Sequence, residues 1–524
     1  MRKFALCLCA MFSLLILFTK TSYAAELRRP ISPEQPMWLI HLDTWNYPDP
    51  ERIIELIPDD ILPYCVFNIS LSASDNVCIS GPNVCDSWLK ACAAKNVWCT
   101  VQCASGGHSR FSDFDLTYYE RYFNEYPNFI GWNFAEQFWG FGEEDTPTFP
   151  ERLALFGEIL KICNRYGGYL IVSFTQAEYS ADMMPIAYMK RNAIVNEQLT
   201  NHPENFICCE KYTMKRGFFE IESNCLGAYL GGYAGQYGIR FDQCGWATSD
   251  EDAEPFVTAS GAIPIMEHVM LTGETVIDGP ELIWQQDTKE TNRISTTDGY
   301  SRRNWDFFSQ FVNINIDEFR KILDGTVRIL SREEVIDRTK ICVINDLNNG
   351  NFDDYTSPAS MFHGLYRQDY DGTVNNPIAT NIWWMKKTGR YPTFPQVYGL
   401  LDETAQKLIG VKKSEYSKRW PTVDAKVAEF NILFPQEYTG DIYAAHAENT
   451  WMTYNPYQYE HTNGTVHTSS KRAKGNIPFL YNTSESISFD YAPYSMAVMK
   501  EFSDSILLYM TNYRTTSNGG EYAR

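Results

Sequence analysis

The sequence predicts an α/β fold, a (β/α)8 TIM-like barrel, followed by a smaller C-terminal β-rich, sandwich-like domain. Between residues 37 and 285, eight short apolar β-prone runs alternate with longer segments of helical spacing. Near-continuous apolar strands joined by crossovers are what a parallel sheet covered on both faces requires. Eight such units in about 250 residues match the size of one closed barrel. A doubly wound open sheet would usually carry a glycine-rich phosphate loop after its first strand, and none is present.

The strand runs are MWLIHLDTW (37–45), ILPYCVFNIS (61–70), NVWCTVQCAS (96–105), NFIGWNFAE (128–136), GYLIVSFTQ (168–176), NFICCEKYT (205–213), YGIRFDQCGW (237–246) and ETVIDGPELI (274–283). DLTYYERYFNEY and PERLALFGEILKICNRYGG lie between them, the second with apolar residues at helical spacing and a Gly-Gly stop. Residues 304–336 have helical spacing and are expected to close the barrel, whose domain is read as 25–338. From 339 to 524 the texture changes, first to the polar INDLNNGNFDDY, then to AEFNILFP, SISFDYAPY and SILLYMTNY, read as β-runs between turn residues. The last run stands close to the end of the chain, which leaves open whether this domain is cut short.

Residues 1–24 have the parts of a secretory signal: Arg2 and Lys3, the apolar stretch Ala5 to Phe18, and Ser22-Tyr23-Ala24 as a small-x-small cleavage site. The mature chain is therefore expected to begin near Ala25 and to act outside the cytoplasm, secreted, periplasmic or on the cell surface. No second apolar stretch is long enough to span a membrane. The formal charge of −20 becomes −23 once Arg2, Lys3 and Lys20 are removed. That disfavours nucleic acid and anionic membrane as partners but puts no penalty on a neutral polysaccharide. A monomer is expected.

Of the 14 cysteines, Cys7 and Cys9 belong to the leader. Cys65, Cys103, Cys208 and Cys244 fall in strand-like runs, where a buried free thiol is the ordinary state. Cys99-x3-Cys103 has no histidine pair nearby, so no zinc site is expected, and no cofactor is called for. Asn68, Asn463 and Asn482 sit in glycosylation sequons that matter only in a eukaryotic secretory pathway.

In barrel enzymes the working groups sit at the carboxyl ends of the strands. Strand by strand those ends offer His41, Asp43 and Trp45; Glu136; Gln176 and Glu178; Glu210, Lys211 and Tyr212; Asp242; and Asp278 and Glu281. Carboxylates dominate. A Gly-x-Ser-x-Gly elbow, a His-Glu-x-x-His pair and a P-loop lysine are all missing, which removes support for acyl transfer, zinc proteolysis and nucleotide chemistry. Converging carboxylates framed by aromatic rings suit glycosidic-bond cleavage, in which one acid protonates the leaving oxygen and another activates water or attacks carbon. Glu136, within GWNFAEQFWGF (131–141), is the candidate acid, since apolar surroundings would disfavour its charged form. It could instead merely pair with an arginine, or cap the next helix at the strand-helix turn. Asp242 could be a salt-bridge partner, Glu281 could fix a loop, His41 could be a satisfied structural histidine, and Asp43 could bind sugar or cap a turn. Trp45, Trp132, Trp139 and Trp246 are divided between core and sugar platform, with Trp139 the favoured platform.

FAEQFWGF, YGGYLIVSFTQ, NFICCEKYT, YAGQYGIRFDQCGW and ETVIDGPEL, in this order and at these distances, resemble glycoside hydrolase family 98. The resemblance covers about residues 37–335 and continues more weakly through TGRYPTFP. It implies a (β/α)8 barrel with a C-terminal β domain and an inverting endo-glycosidase. By position Glu136 matches the family's general acid, and Asp242 matches an aspartate that prepares water together with a glutamate. Glu281 is chosen for that glutamate over Glu267 or Asp278. Lys211 matches a lysine near substrate, and His41, Asp43, Trp45, Trp139, Gln176, Tyr212 and Trp246 are the further substrate-binding candidates. The family resemblance spans endo-xylanases and blood-group endo-β-1,4-galactosidases, and the opening PMWLIHLDTWNYPDPERIIELIPDDI looks more like the xylan-acting group. Decorated xylan is thus the first expected substrate, blood-group glycan the second, and a non-catalytic carbohydrate-binding protein the third possibility.

Overall fold

The computed structural model describes residues 24–43, 50–71, 81–105, 116–138, 148–174, 185–212, 218–241, 259–279, 284–286, 294–295, 301–302, 305–307, 311–346, 364–365, 386–399, 402–457, 459–462, 465–468, 470–515 and 522–523. The proposed leader up to residue 23 lies outside them.

Eight strands close into a barrel in chain order: β1 Met37–Asp43, β2 Cys65–Ser70, β3 Trp98–Ser105, β4 Phe129–Ala135, β5 Tyr169–Phe174, β6 Phe206–Tyr212, β7 Gln236–Phe241 and β8 Val276–Asp278. Every neighbouring pair is parallel, and β8 returns to β1 with Leu39 opposite Asp278. Seven of the runs assigned to the barrel contain their strand whole, and the seventh in order, 237–246, misses only Gln236, where β7 begins.

Alternation along each strand sends one set of side chains outward to the helices and the other into the barrel. The inner set in the lower half is apolar: Leu39, Val66, Ile130, Ile171, Ile207, Cys209 and Val276 form one cluster. Trp132 of β4 points outward instead and is wholly buried. Its ring stacks on Tyr122 of the helix Leu116–Glu125, with centroids 5.5 Å apart and planes 17° apart. At Gly131 the β3–β4 register slips, and φ there is 151°. A Cβ at this position would stand 2.0 Å from the Tyr169 carbonyl oxygen, so the close approach of β5 requires glycine.

The helix Phe149–Tyr166 shows how local chemistry sets the crossovers. Glu151 accepts hydrogen bonds from the Thr148 amide (2.8 Å) and hydroxyl (2.7 Å), satisfying donors that a helix start leaves open. The helix stops at Gly167, whose φ is 69°, where the Gly168 amide returns to the Cys163 carbonyl at 2.8 Å. The expected Gly-Gly stop is therefore a left-handed cap.

The closing segment is helical over less of its length than its spacing suggests. Trp305–Phe307 pairs with Trp284–Gln286 as an antiparallel ladder, and the helical stretches are a π-turn at Phe311–Asn315 running into Ile316–Leu323, then Arg332–Thr339.

The C-terminal part begins with a parallel three-stranded sheet, Ile341–Ile344 between Gln396–Val397 and Ile409–Lys412. A two-sheet sandwich follows. Strands 443–447, 450–454, 495–501 and 506–512 form one antiparallel sheet, and 439–440, 473–478 and 486–491 form the other. Ala444, Trp451, Ala497 and Met499 of the first meet Ala473, Ile477, Phe489 and Tyr491 of the second. AEFNILFP, expected as a β-run, is instead helical as far as Leu433 within the helix Val423–Leu433. Thr422 caps that helix by accepting from the Ala425 amide at 3.1 Å, and Phe430 and Phe434 fall four apart on one buried side. Among the described residues, no helix is long and apolar enough to cross a membrane.

The thiols of Cys65, Cys99, Cys163, Cys208, Cys209, Cys225 and Cys342 are free and buried, as expected for Cys65 and Cys208. Cys244 lies outside the described residues, as does the side chain of Cys103. Among the described residues, no group of three or more His, Cys, Asp or Glu side chains is placed to hold a metal ion.

Candidate active site

Above its apolar lower layer the barrel interior turns polar towards the strand ends. Arg240 on β7 reaches across to β3, where its Nη1 donates to Gln102 Oε1 at 2.7 Å. Asn133 on β4 reaches β8, donating from Nδ2 to Asp278 Oδ2 at 3.1 Å. Asn68 ties β1 to β3: its Nδ2 lies 3.3 Å from both His41 Nδ1 and Gln102 Oε1, and its Oδ1 accepts from Thr100 at 3.1 Å. Asp278 stands 3.5 Å from Arg240 and 3.8 Å from His41. Burial by itself would raise the Asp278 pKa. Arg240, His41 and Asn133 outweigh it, and the carboxyl is held below its ordinary value.

This layer is a floor, buried beneath the strand ends. His41 is 1% exposed, and Asn68 and Asp278 are wholly buried. The Asn68 sequon therefore lies inside the barrel wall in the folded protein.

Glu136 follows the last residue of β4 at this polar end. Its amide donates to the Ser173 carbonyl at 3.0 Å, extending the β4–β5 ladder by one rung. Its φ is 58°, a left-handed conformation that costs a non-glycine residue about 1–2 kcal/mol. Strain of this kind persists where surrounding contacts hold it, and it clusters at functional sites. The carboxylate oxygen Oε1 forms an ion pair with the ammonium of Lys211 at the end of β6. The side chain of Glu136 is 18% exposed and that of Lys211 is 4% exposed, so the acid keeps some access to solvent above its partner. The expected apolar surround for Glu136 is thus replaced by a paired cation on the next strand but one.

Asp43 and Tyr212 end β1 and β6, but their side chains lie outside the described residues, as do Trp45, Trp139, Gln176, Asp242, Trp246 and Glu281. Phe241, the last residue of β7, immediately precedes Asp242 in the chain.

Glu267, weighed as a base, is elsewhere. It lies on the helix Ala259–Thr272 and faces the C-terminal domain. It accepts from Tyr443 at 2.7 Å and Tyr454 at 3.4 Å, and pairs with Lys386 at 3.2 Å. Glu210 also faces outward, into the same buried cluster, with Oε1 3.0 Å from His268 Nε2. His268 is 3.1 Å from Glu222, which pairs with Lys386 at 2.6 Å. Neither Glu267 nor Glu210 meets the barrel interior.

Residue-by-residue inspection of strand ends missed Asn68, Gln102, Asn133 and Arg240. Their signal was present: polar residues at alternate positions within otherwise apolar strands, which a buried strand tolerates only where they satisfy one another.

The chain matches the family model described as Glycosyl hydrolase family 98 over residues 25–328 and the one described as Glycosyl hydrolase family 98 C-terminal domain over residues 332–521. It is 23% identical to the blood-group-substance endo-1,4-beta-galactosidase of Clostridium perfringens, over 94% of this chain and 61% of that protein. The chain thus spans less than two thirds of that curated relative. Among solved structures it resembles the native catalytic module of a family 98 glycoside hydrolase from Streptococcus pneumoniae TIGR4, at a TM-score of 0.69 and 19% identity. The same module in complex with the LewisY pentasaccharide blood group antigen gives a TM-score of 0.71 at 19% identity. Each alignment covers 94% of this chain and 83% of the module. At these identities the likeness establishes a shared fold.

Proposed function

The chain belongs to glycosyl hydrolase family 98, and on that premise we propose that it cleaves an internal β-1,4-galactosidic bond of a blood-group-type glycan, with inversion. Glu136 is the general acid in this proposal, and Asp242 with Glu281 prepares the attacking water. The observation that carries it is the Glu136–Lys211 pair over a polar barrel floor, at the end where barrel enzymes keep their chemistry. In this proposal Glu136 enters the step protonated on its second oxygen and passes that proton to the glycosidic oxygen, while Lys211 at Oε1 stabilises the carboxylate that forms. Inversion calls for a base set back by about 6.5–9.5 Å so that water fits beneath the sugar.

The comparisons favour a blood-group glycan over the decorated xylan that was the first expectation. The curated relative is named for a blood-group substance, and the pneumococcal module is solved with a blood-group antigen. A neutral glycan also suits a chain of formal charge −20. Export through the N-terminal leader and action as a monomer complete the proposal.

The test is product analysis after incubation with blood-group A and B glycans, arabinoxylan and glucuronoxylan, with Glu136→Gln in parallel. Oligosaccharide release from the blood-group glycans by wild type alone supports the reading. Release from a xylan instead would overturn the substrate, and equal activity in Glu136→Gln would overturn the assignment of the acid.

A further inference from the structure

The peptide units on both sides of Glu136 are gripped by side chains. Gln137 Nε2 turns back to donate to the Ala135 carbonyl at 2.7 Å, closing a tight ring around residue 136. The Gln137 carbonyl in turn accepts from Arg152 Nη1. With the Glu136 amide bonded to Ser173, the backbone is tied before, at and after the acid. Gln137 and Arg152 are both wholly buried. Arg152 stands in the first turn of the helix Phe149–Tyr166, whose start is set by the Thr148–Glu151 contacts. A guanidinium is rarely buried so deeply, and one of its donors is committed to this main-chain carbonyl, which fixes the orientation of the peptide.

We propose that Gln137 and Arg152 are positioning residues for the acid, holding Glu136 in its left-handed conformation so that its carboxyl meets Lys211 and faces the bond to be cut. The inference rests on Glu136 acting as the acid. Without the grip, residue 136 relaxes towards the negative φ that non-glycine residues prefer, and rotation about its Cα swings the carboxyl away from β6. Misplacement of a reacting group by about 1 Å costs on the order of 100-fold in rate.

The experiment compares Gln137→Ala, Arg152→Met, Arg152→Lys and Glu136→Gln in the full chain, using kcat and KM on a blood-group glycan, pH–rate profiles, melting temperatures and a crystal structure of Gln137→Ala. We expect kcat to fall roughly 10- to 100-fold in Gln137→Ala and Arg152→Met. KM should stay within about twofold, because binding groups are untouched, and the pH limb that reports the acid should be displaced. Arg152→Lys, which keeps a buried donor, should recover much of the loss. In the Gln137→Ala crystal, φ of residue 136 should leave the left-handed region.

Unchanged kcat per folded molecule, a parallel loss of kcat and melting temperature with no change in pH profile, or a residue 136 still left-handed would each overturn the proposal. If Glu136→Gln proves as active as wild type, the functional reading fails, while the crystallographic φ still decides whether the grip exists.

Discussion

Glu210 and Lys211, consecutive on β6, serve opposite sides of the barrel wall. Lys211 points inward to Glu136, and Glu210 points outward to His268, 3.0 Å away beneath the C-terminal domain. The strand carrying the candidate acid's partner is therefore also the strand anchored to the interdomain cluster. Its chain of contacts runs through Glu222 to Lys386, a residue of the C-terminal part.

Lys386 is 3% exposed and serves two carboxylates, Glu222 at 2.6 Å and Glu267 at 3.2 Å. Replacing it by methionine removes this cation from Glu267 and leaves Glu222 to rely on His268. The expected cost is about 3–5 kcal/mol of unfolding free energy, read by urea denaturation. A loss below about 1 kcal/mol would mean that the two domains do not rely on this cation.

The same cluster makes stability depend on pH. Burial alone would lower the His268 pKa, but Glu210 and Glu222 outweigh it and push the imidazole up to about 9 from its ordinary 6.5. A folded value above the unfolded one stabilises fully below pH 6.5, and that contribution is lost as pH rises through 9. The melting temperature should therefore decline across this window, with a flatter decline in His268→Gln. An identical slope in the variant would assign the effect to other groups.

In the barrel floor, Asp278→Asn removes the carboxylate that offsets the buried charge of Arg240. A destabilisation of about 3–5 kcal/mol is expected, again by urea denaturation. If the variant is as stable as wild type, the buried guanidinium does not depend on this carboxylate.

Glycosylation gives a simple check on the interior. Expressed through a eukaryotic secretory pathway, the protein should carry glycan at Asn482, which is exposed, and none at Asn68, which is wholly buried in β2. Peptide mass spectrometry distinguishes them, and an occupied Asn68 in folded, monodisperse protein would contradict its place in the wall.

Particular residues show how far the sequence could be read. The helix Phe149–Tyr166 was legible to its last residue, because caps and glycine stops are local chemistry. AEFNILFP was misread, since a short aromatic-rich run fits either period and the deciding cap, Thr422, stands outside it. Glu136 was singled out by its strand-end position, its aromatic surroundings and the family resemblance, yet its partner could not be. Lys211 is 75 residues away, and no local pattern says which neighbour an acid will meet. Glu267 and Glu281 looked like rivals because sequence distance carries no direction, and the packing of one helix against the C-terminal domain removed the first.

The sequence by itself determined the barrel and the end at which its polar residues gather, because strand number, alternation and helix caps are written in short-range patterns of apolar and turn residues. Only the tertiary structure decided which charges meet. The pairings Glu136 with Lys211, Asp278 with Arg240, and Lys386 with Glu222 and Glu267 join strands and domains far apart in the chain. Electrostatic partnership depends on distance through space and on burial, and neither exists until the barrel has closed.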